Sequence, residues 1–252
     1  MACPRLAAAA VALAAISCSC HVSPPPPIDR ALTSCIAPGT VLLAGLKLDR
    51  LRASPLYQRV AALDPVRDAS YLLITSDGRS LVWIARGDFR QAPAGATLLG
   101  PNLAISGPAD AVRNATAQHA AGNSGAPDLL EQAAPLAGSA DIWAVIRGGI
   151  ALPLTGNAAN VNRILKLIDY GTLTVRLGSS IDVEITGICH AADAGERLEE
   201  TVRAIVSLAE AANPRLAAAL KSVQIRREGT IVHATLATDA DSVGKLIDEF
   251  MR

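Results

Sequence analysis

"YLLITSDGRSLVWIARG", Tyr71 to Gly87, sets two apolar runs on either side of Asp77-Gly78. That dipeptide between alternating apolar residues is a strong hairpin signal, because the tight turn needs a positive φ that glycine adopts at no steric cost. The strands are therefore expected to be antiparallel. "LTVRLGSSIDVEITGI", Leu173 to Ile188, repeats the pattern about Gly178-Ser179, and "VQIRREGTIVHATLAT", Val223 to Thr238, repeats it about Glu228-Gly229. "ATLLGPNLAISG" adds a turn at Gly100-Pro101-Asn102.

Around these hairpins the order strand, helix, hairpin, hairpin, helix reads twice. In the first round, strand "TVLLAGLKL" leads to "SPLYQRVAAL", with Ser54 as N-cap and Pro55 in the first helical turn, and Pro108 opens "PADAVRNATAQHA". In the second, a helix over Asp128 to Leu136 precedes strand "DIWAVIR", and "NAANVNRILKLI" is amphipathic through Val161, Ile164, Leu165 and Ile168. The chain closes on "DSVGKLIDEFM", with Val243, Leu246, Ile247 and Phe250 as a stripe. Hairpin alignment matches Tyr71 with Leu173 and Leu81 with Val183. Aligning the last strand-to-helix junctions matches Ile105 with Leu236, Asp110 with Asp241 and Val112 with Val243, at a larger offset. The excess is about the length of Asp193 to Lys221.

That extra segment has its own signals. Asp193 as N-cap with Glu196 three residues on makes a capping box, and Leu198, Val202, Ile205, Ala209 and Ala212 follow at helical spacing. The stripe is expected to pack against the second sheet or its neighbouring helices, with Glu199, Glu200, Arg203 and Glu210 in solvent. The fold expected is α+β: two lobes related by approximate internal duplication, each an antiparallel sheet with helices on one face. The lobes span 39–119 and 128–252, joined by a Gly, Ser, Asn and Pro-rich linker at 120–127, with a helical insertion at 193–221 in the second.

Composition narrows the ligand classes. Bases and acids are equal at 23 each, so no overall field steers the chain toward nucleic acid or anionic lipid. Aromatic residues are only 3%, too few for the stacking platforms that sugars or unpaired bases require.

The first residues are an export leader in pattern: Arg5, then an apolar run from Leu6 to Ile16 that is too short to span a bilayer. "LAAISC", with small Ser17 directly before Cys18, resembles a bacterial lipoprotein signal peptide. It departs from the usual pattern in having Ala15 where Leu is commonest. The resemblance implies a signal peptide over 1–17, lipidation of Cys18 and a proline-rich spacer over 18–38, with Pro24 to Pro27 extended as polyproline II. The rival is ordinary cleavage after Ser19, which gives a soluble secreted protein. "LKLDRLRASPLYQRV" and "LAISGPADAVRNA" are similar to stretches of exported bacterial proteins that carry no assigned activity, and no functional residue comes with that likeness.

Export puts Cys20, Cys35 and Cys189 in an oxidising compartment. A Cys35–Cys189 bridge is one reading, and a free buried Cys189 is the other. Cys189-His190 with His233 is the one cluster of soft ligands, short of the four that zinc wants. Asp182 and Glu184 share one strand face and could meet Asp169 or Asp141 as an acid–base pair, but Ile181, Val183 and Ile185 claim the buried side and leave them to solvent. Arg50 and Arg52 could take a phosphate or edge a strand. Trp83 and Trp143 read as core, Trp143 with the better claim to surface recognition. No catalytic, metal or cofactor site is assigned. The function expected is a noncatalytic binding or structural module of the cell envelope, on the periplasmic side of a membrane, held there by lipid and meeting a protein partner. An enzyme with a site in the cleft between lobes, or a carrier of a small apolar ligand, is the alternative.

Overall fold

The computed structural model describes residues 28–59, 61–153, 161–212 and 217–244. Ten antiparallel strands form a single sheet: β1 Leu42–Lys47, β2 Ala69–Ser76, β3 Leu81–Gly87, β4 Thr97–Gly100, β5 Leu103–Ser106, β6 Ile142–Arg147, β7 Ile168–Leu177, β8 Ile181–Cys189, β9 Gln224–Glu228 and β10 Ile231–Thr238. Their order is β4-β5-β3-β2-β1-β6-β7-β8-β10-β9. The α+β class holds, but the two expected sheets are one. β1 and β6 join them in register, Leu42 opposite Ile146 and Leu46 opposite Ile142. Each carries buried side chains where a free edge would leave backbone donors and acceptors unpaired, and pairing satisfies both strands.

Read outward from that joint, the order is the same in both directions. The registers correct two of the expected matches. Tyr71 lies opposite Lys47 and Tyr170 opposite Arg147, so the position matching Tyr71 is Tyr170, not Leu173. Ile105 lies opposite Ile84 and His233 opposite Thr186, so His233, not Leu236, matches Ile105. The hairpin of β7 and β8 is longer, pairing on through Leu177 and Ile181, and that excess misled the turn-based alignment.

Helices cover both faces instead of one. On the front, Leu43, Leu73, Ile84, Ile105, Trp143 and Val145 join α1 (Arg30–Thr33), α3 (Ala109–Ala121) and α4 (Pro127–Ser139) in one core. On the back, Leu72, Ala85 and Ala104 meet Leu48 and Leu51 of α2 (Leu48–Arg52), and farther out Ile168, Cys189 and Val232 meet α5 (Val161–Leu165) and α6 (Ala192–Ala212). α7 is a short turn at Ala217–Leu220. The segment after Ser54 forms two 3-10 turns, Pro55–Arg59 and Ala61–Val66, where one α-helix was expected. Pro65, inside the second, has no N–H for a helical bond. Between α3 and α4 the proposed linker is tied down: the Gly125 N–H donates to the Ile36 carbonyl at 2.8 Å, and a Cβ on Gly125 would lie 2.3 Å from the Pro38 nitrogen.

The hairpin that decided the fold forms as read. Gly78 has φ +87°, and the Asp77 carboxylate accepts the N–H groups of Arg79 and Ser80 at 2.8 and 2.6 Å. Those bonds, Ser80's first, hold the Asp77 carboxyl below the usual range.

At the centre, the indole of Trp143 is fully buried and donates to the Tyr71 hydroxyl at 2.9 Å. Both rings cross β1 over Gly45, where a Cβ would sit 2.3 Å from the tyrosine oxygen and 2.4 Å from the indole. Trp143 is thus core and unavailable to a partner. Its flanking Asp141 and Arg147 suggested a surface only because they end the strand.

The insertion is a 21-residue helix. Leu198 is buried against Gly187, Val202 and Ala209 are half-buried, but Ile205 is 43% exposed, and beside the stripe Leu208 is 69% exposed, so cover thins past Val202. The helix starts at Ala192, so Asp193 lies inside its first turn instead of at the N-cap, and it pairs with Arg197. Glu199, expected in solvent, accepts from Arg203 and from Arg227 of β9 at 2.8 and 3.1 Å, which clamps the helix to the sheet edge and lowers the Glu199 pKa.

Two stability outcomes follow. Gly45→Ala should destabilise the protein by ~1–3 kcal/mol through overpacking, measured by urea unfolding. Leu198→Ala should cost ~2–5 kcal/mol and Leu208→Ala less than ~0.5 kcal/mol; equal losses would mean that the exposed end of α6 is covered.

Candidate functional site

The outer half of the front face, on β7, β8, β10 and β9, carries no helix among the described residues. Strand alternation and register set its side chains in rows. Thr172, Thr186, His233 and Arg226 lie opposite one another in sequence across the strands, and so do Thr174, Glu184, Thr235 and Gln224. Arg176 and Asp182 make a third row on the hairpin. The first two rows are polar throughout, whereas Ala237 continues the third and Ile188 and Ile231 stand in the row of Tyr170 on the same face.

The matching half is built differently. Val82, Ile84 and Ile105 hold the ladder positions of Glu184, Thr186 and His233, and they are buried beneath α1 and α3. The helix after β5 lies over this front face. The helical residues after β10, 240–244, go to the back, where Ala240 and Val243 pack against the back core that includes Leu177 and Ile181. Asp239 caps them, accepting the Ser242 N–H at 2.9 Å and its hydroxyl at 3.0 Å, bonds that hold the Asp239 carboxyl low. Leu246, Ile247 and Phe250 of the expected C-terminal stripe lie outside the described residues.

Within the open array, His233 Nδ1 lies 3.2 Å from Glu184 Oε1 and 3.1 Å from Thr186 Oγ1. A carboxylate only accepts, so the Glu184 contact places a proton on Nδ1. Arg176 and Arg226 are exposed and have no acidic partner among the described residues.

The other candidates separate. His233 is on the front face, whereas Cys189 is buried in the back core, where burial and then Asp169 push its thiol pKa up. Cys35 sits in the front core with its thiol pushed up to about 11 by burial, and both cysteines are free, so they form no bridge. Asp141 is taken by the backbone: it accepts the Leu177 N–H at 2.8 Å and Arg50 Nε at 3.2 Å. Arg52 donates to the carbonyls of Arg67 and Ala69, both at 2.8 Å, so neither arginine is held ready for a phosphate. Ile181 is buried as expected, but Ile185 is 53% exposed, because α6 covers Gly187 and the 240–244 helix covers Ile181 with nothing described between.

Two groupings escaped the sequence. Ser34 Oγ lies 2.7 Å from His119 Nδ1, in outline a nucleophile and base; but the buried hydroxyl donates to the Ala31 carbonyl at 3.0 Å and so accepts from the ring. It ties α1 to α3. Asp128, in the first turn of α4, accepts Arg147 through both oxygens at 2.7–3.0 Å and the Tyr170 hydroxyl at 3.2 Å. Burial raises the Asp128 pKa, but the bonds and charge of Arg147 outweigh it and hold the carboxyl low. Pro127-Asp128 at a helix start was the available signal; its partners came from strands too distant to foresee.

No family model, curated protein or solved structure matches the chain.

The Asp128 pair gives a signed pH effect. A carboxyl with a depressed folded pKa contributes stability that is present above its ordinary value of ~3.9 and is lost as pH falls through the lower folded value. Asp128→Asn should therefore be less stable than wild type at pH 7, with the difference shrinking through that acidic window in denaturant unfolding at stepped pH. A difference that stays constant with pH would mean that only the hydrogen bonds matter.

Proposed function

We propose that this chain is a noncatalytic binding module of the cell envelope, exported by its leader, tethered through Cys18, and engaging a protein partner through the open face of β7, β8, β10 and β9. One observation carries the reading: ladder positions that are apolar and covered by helices in one half are polar in the other and carry no helix among the described residues. An uncovered sheet face in an antiparallel sheet is stable when its side chains are polar. A face of mixed charges, threonines and amphipathic His233 has the composition of a hydrated, reversible interface.

The same reading takes the two halves as copies of one unit, supported by the mirrored strand order and by the backbone bulges at Ala69/Tyr71 and Ile168/Tyr170. Cys18 lies outside the described residues, and the tether rests on the leader sequence. Among the described residues no helix is long and apolar enough to cross a membrane, so attachment through such a helix would have to come from elsewhere. The enzyme reading would use the cleft of about 480 Å³ between the halves, lined by Asp77, Arg79, Ile150 and Leu152, but the Asp77 carboxylate there is committed to its turn.

Two measurements test the proposal. Cys18→Ser should move the protein from the detergent phase to the aqueous phase with its fold unchanged; persistence in the detergent phase defeats the lipid tether. A photo-crosslinker at Thr235 should trap one discrete envelope protein in intact cells, and the adduct should vanish with Glu184→Arg, whereas a crosslinker at Arg113 on α3 should trap none. Adducts that do not distinguish the two positions would defeat the docking face.

A further inference from the structure

A second cleft, of about 380 Å³, opens where β6 ends and β7 begins, away from the polar array. Its volume is at the small end of ligand pockets. Gly148 shapes one wall: a Cβ there would fall 1.7 Å from the Ile168 carbonyl oxygen, so only glycine admits the close approach of the two chains. Asp169 is the extra residue of the β7 bulge, between the paired Ile168 and Tyr170. Bulges re-aim side chains, and this one puts the Asp169 side chain into the lining.

The charges in the cleft do not meet. Arg147 is spent on Asp128. Lys166, Asp169 and His190 also line it, are exposed, and have no side-chain partner among the described residues. Lys166 and Asp169 are three apart in sequence, but α5 ends at Leu165 and β7 starts at Ile168, so no helical turn brings them together. Ile168, whose side chain is buried in the back core, and the half-buried Tyr170, which packs on the front core, also line the cleft. A simple anion would meet Asp169, and a simple cation would meet Lys166; a molecule bearing both charges satisfies each side.

We propose that this cleft binds a small zwitterion of the α-amino-acid class, with its carboxylate on Lys166 and His190 and its ammonium on Asp169. Calorimetric titration of the intact protein with L-leucine, and with L-phenylalanine as a larger probe, reads the binding directly. At least one should give saturable heat, weakened about tenfold or more in Lys166→Gln and in Asp169→Asn, since each removes one charge-assisted contact. Both residues are exposed, and unchanged near-ultraviolet dichroism keeps a folding loss apart from a binding loss. Arg113→Gln, on α3, should bind as wild type does. No saturable heat with either amino acid overturns the proposal. So does acetate or methylammonium binding as tightly as the amino acid, or Asp169→Asn binding undiminished.

Discussion

The antiparallel pairing of β1 with β6 is the constraint from which the rest of the architecture follows. Both strands bury side chains, Leu43 on one and Trp143 and Val145 on the other, and neither could end a sheet without leaving backbone groups unpaired beside a core. Joining them makes one core of two halves. Trp143, from the second half, reaches across Gly45 to the Tyr71 hydroxyl of the first, and α4 lies over the joint with Leu129, Ala133 and Ala137 buried beneath it. The halves therefore meet as neighbouring strands of one sheet, and the cleft between them opens beside Asp77 and Leu152 at the strand ends.

What the sequence disclosed and what it concealed divide along the range of the interactions. Turns are local: Asp77-Gly78 and Glu228-Gly229 fixed two hairpins, because a positive φ leaves few residue choices. The amphipathic period of α6 was equally legible over Leu198 and Val202. Whether Ile205 and Leu208 are covered depends on how far the sheet extends beneath them, and no period encodes that. Trp143 misled for a related reason. Its polar neighbours mark the ends of a strand, while its burial depends on Tyr71, Gly45 and α4 from elsewhere in the chain.

The polar array was half visible. Alternation in "IDVEITGI" correctly set Asp182 and Glu184 apart from Ile181, and the same alternation put His233 and Thr235 on one side of β10. That His233 meets Glu184, and not Cys189, required the register between β8 and β10. Register is set by pairing over the whole ladder, where a slip of one residue would exchange the two faces. Sequence alone placed the residues on faces; the ladder decided which faces adjoin.

The asymmetry between the halves has a physical origin in the longer second hairpin. Pairing through Leu177 and Ile181 extends the apolar back face beyond the end of the shorter β2–β3 hairpin, and Ala240 and Val243 pack there once Asp239 has capped their helix. In the first half the back is already filled by α2, the 3-10 turns and Phe89, and α3 turns instead to the front over Val82, Ile84 and Ile105. A helix can cover only one face. With residues 240–244 at the back, no described helix of this half covers the front of β8 and β10, and apolar residues exposed there would forgo about 1.5–3 kcal/mol each in water. Glu184, Thr186 and His233 occupy the positions that this rerouting exposed, so the polarity of the array is the consequence of where a neighbouring helix found its core.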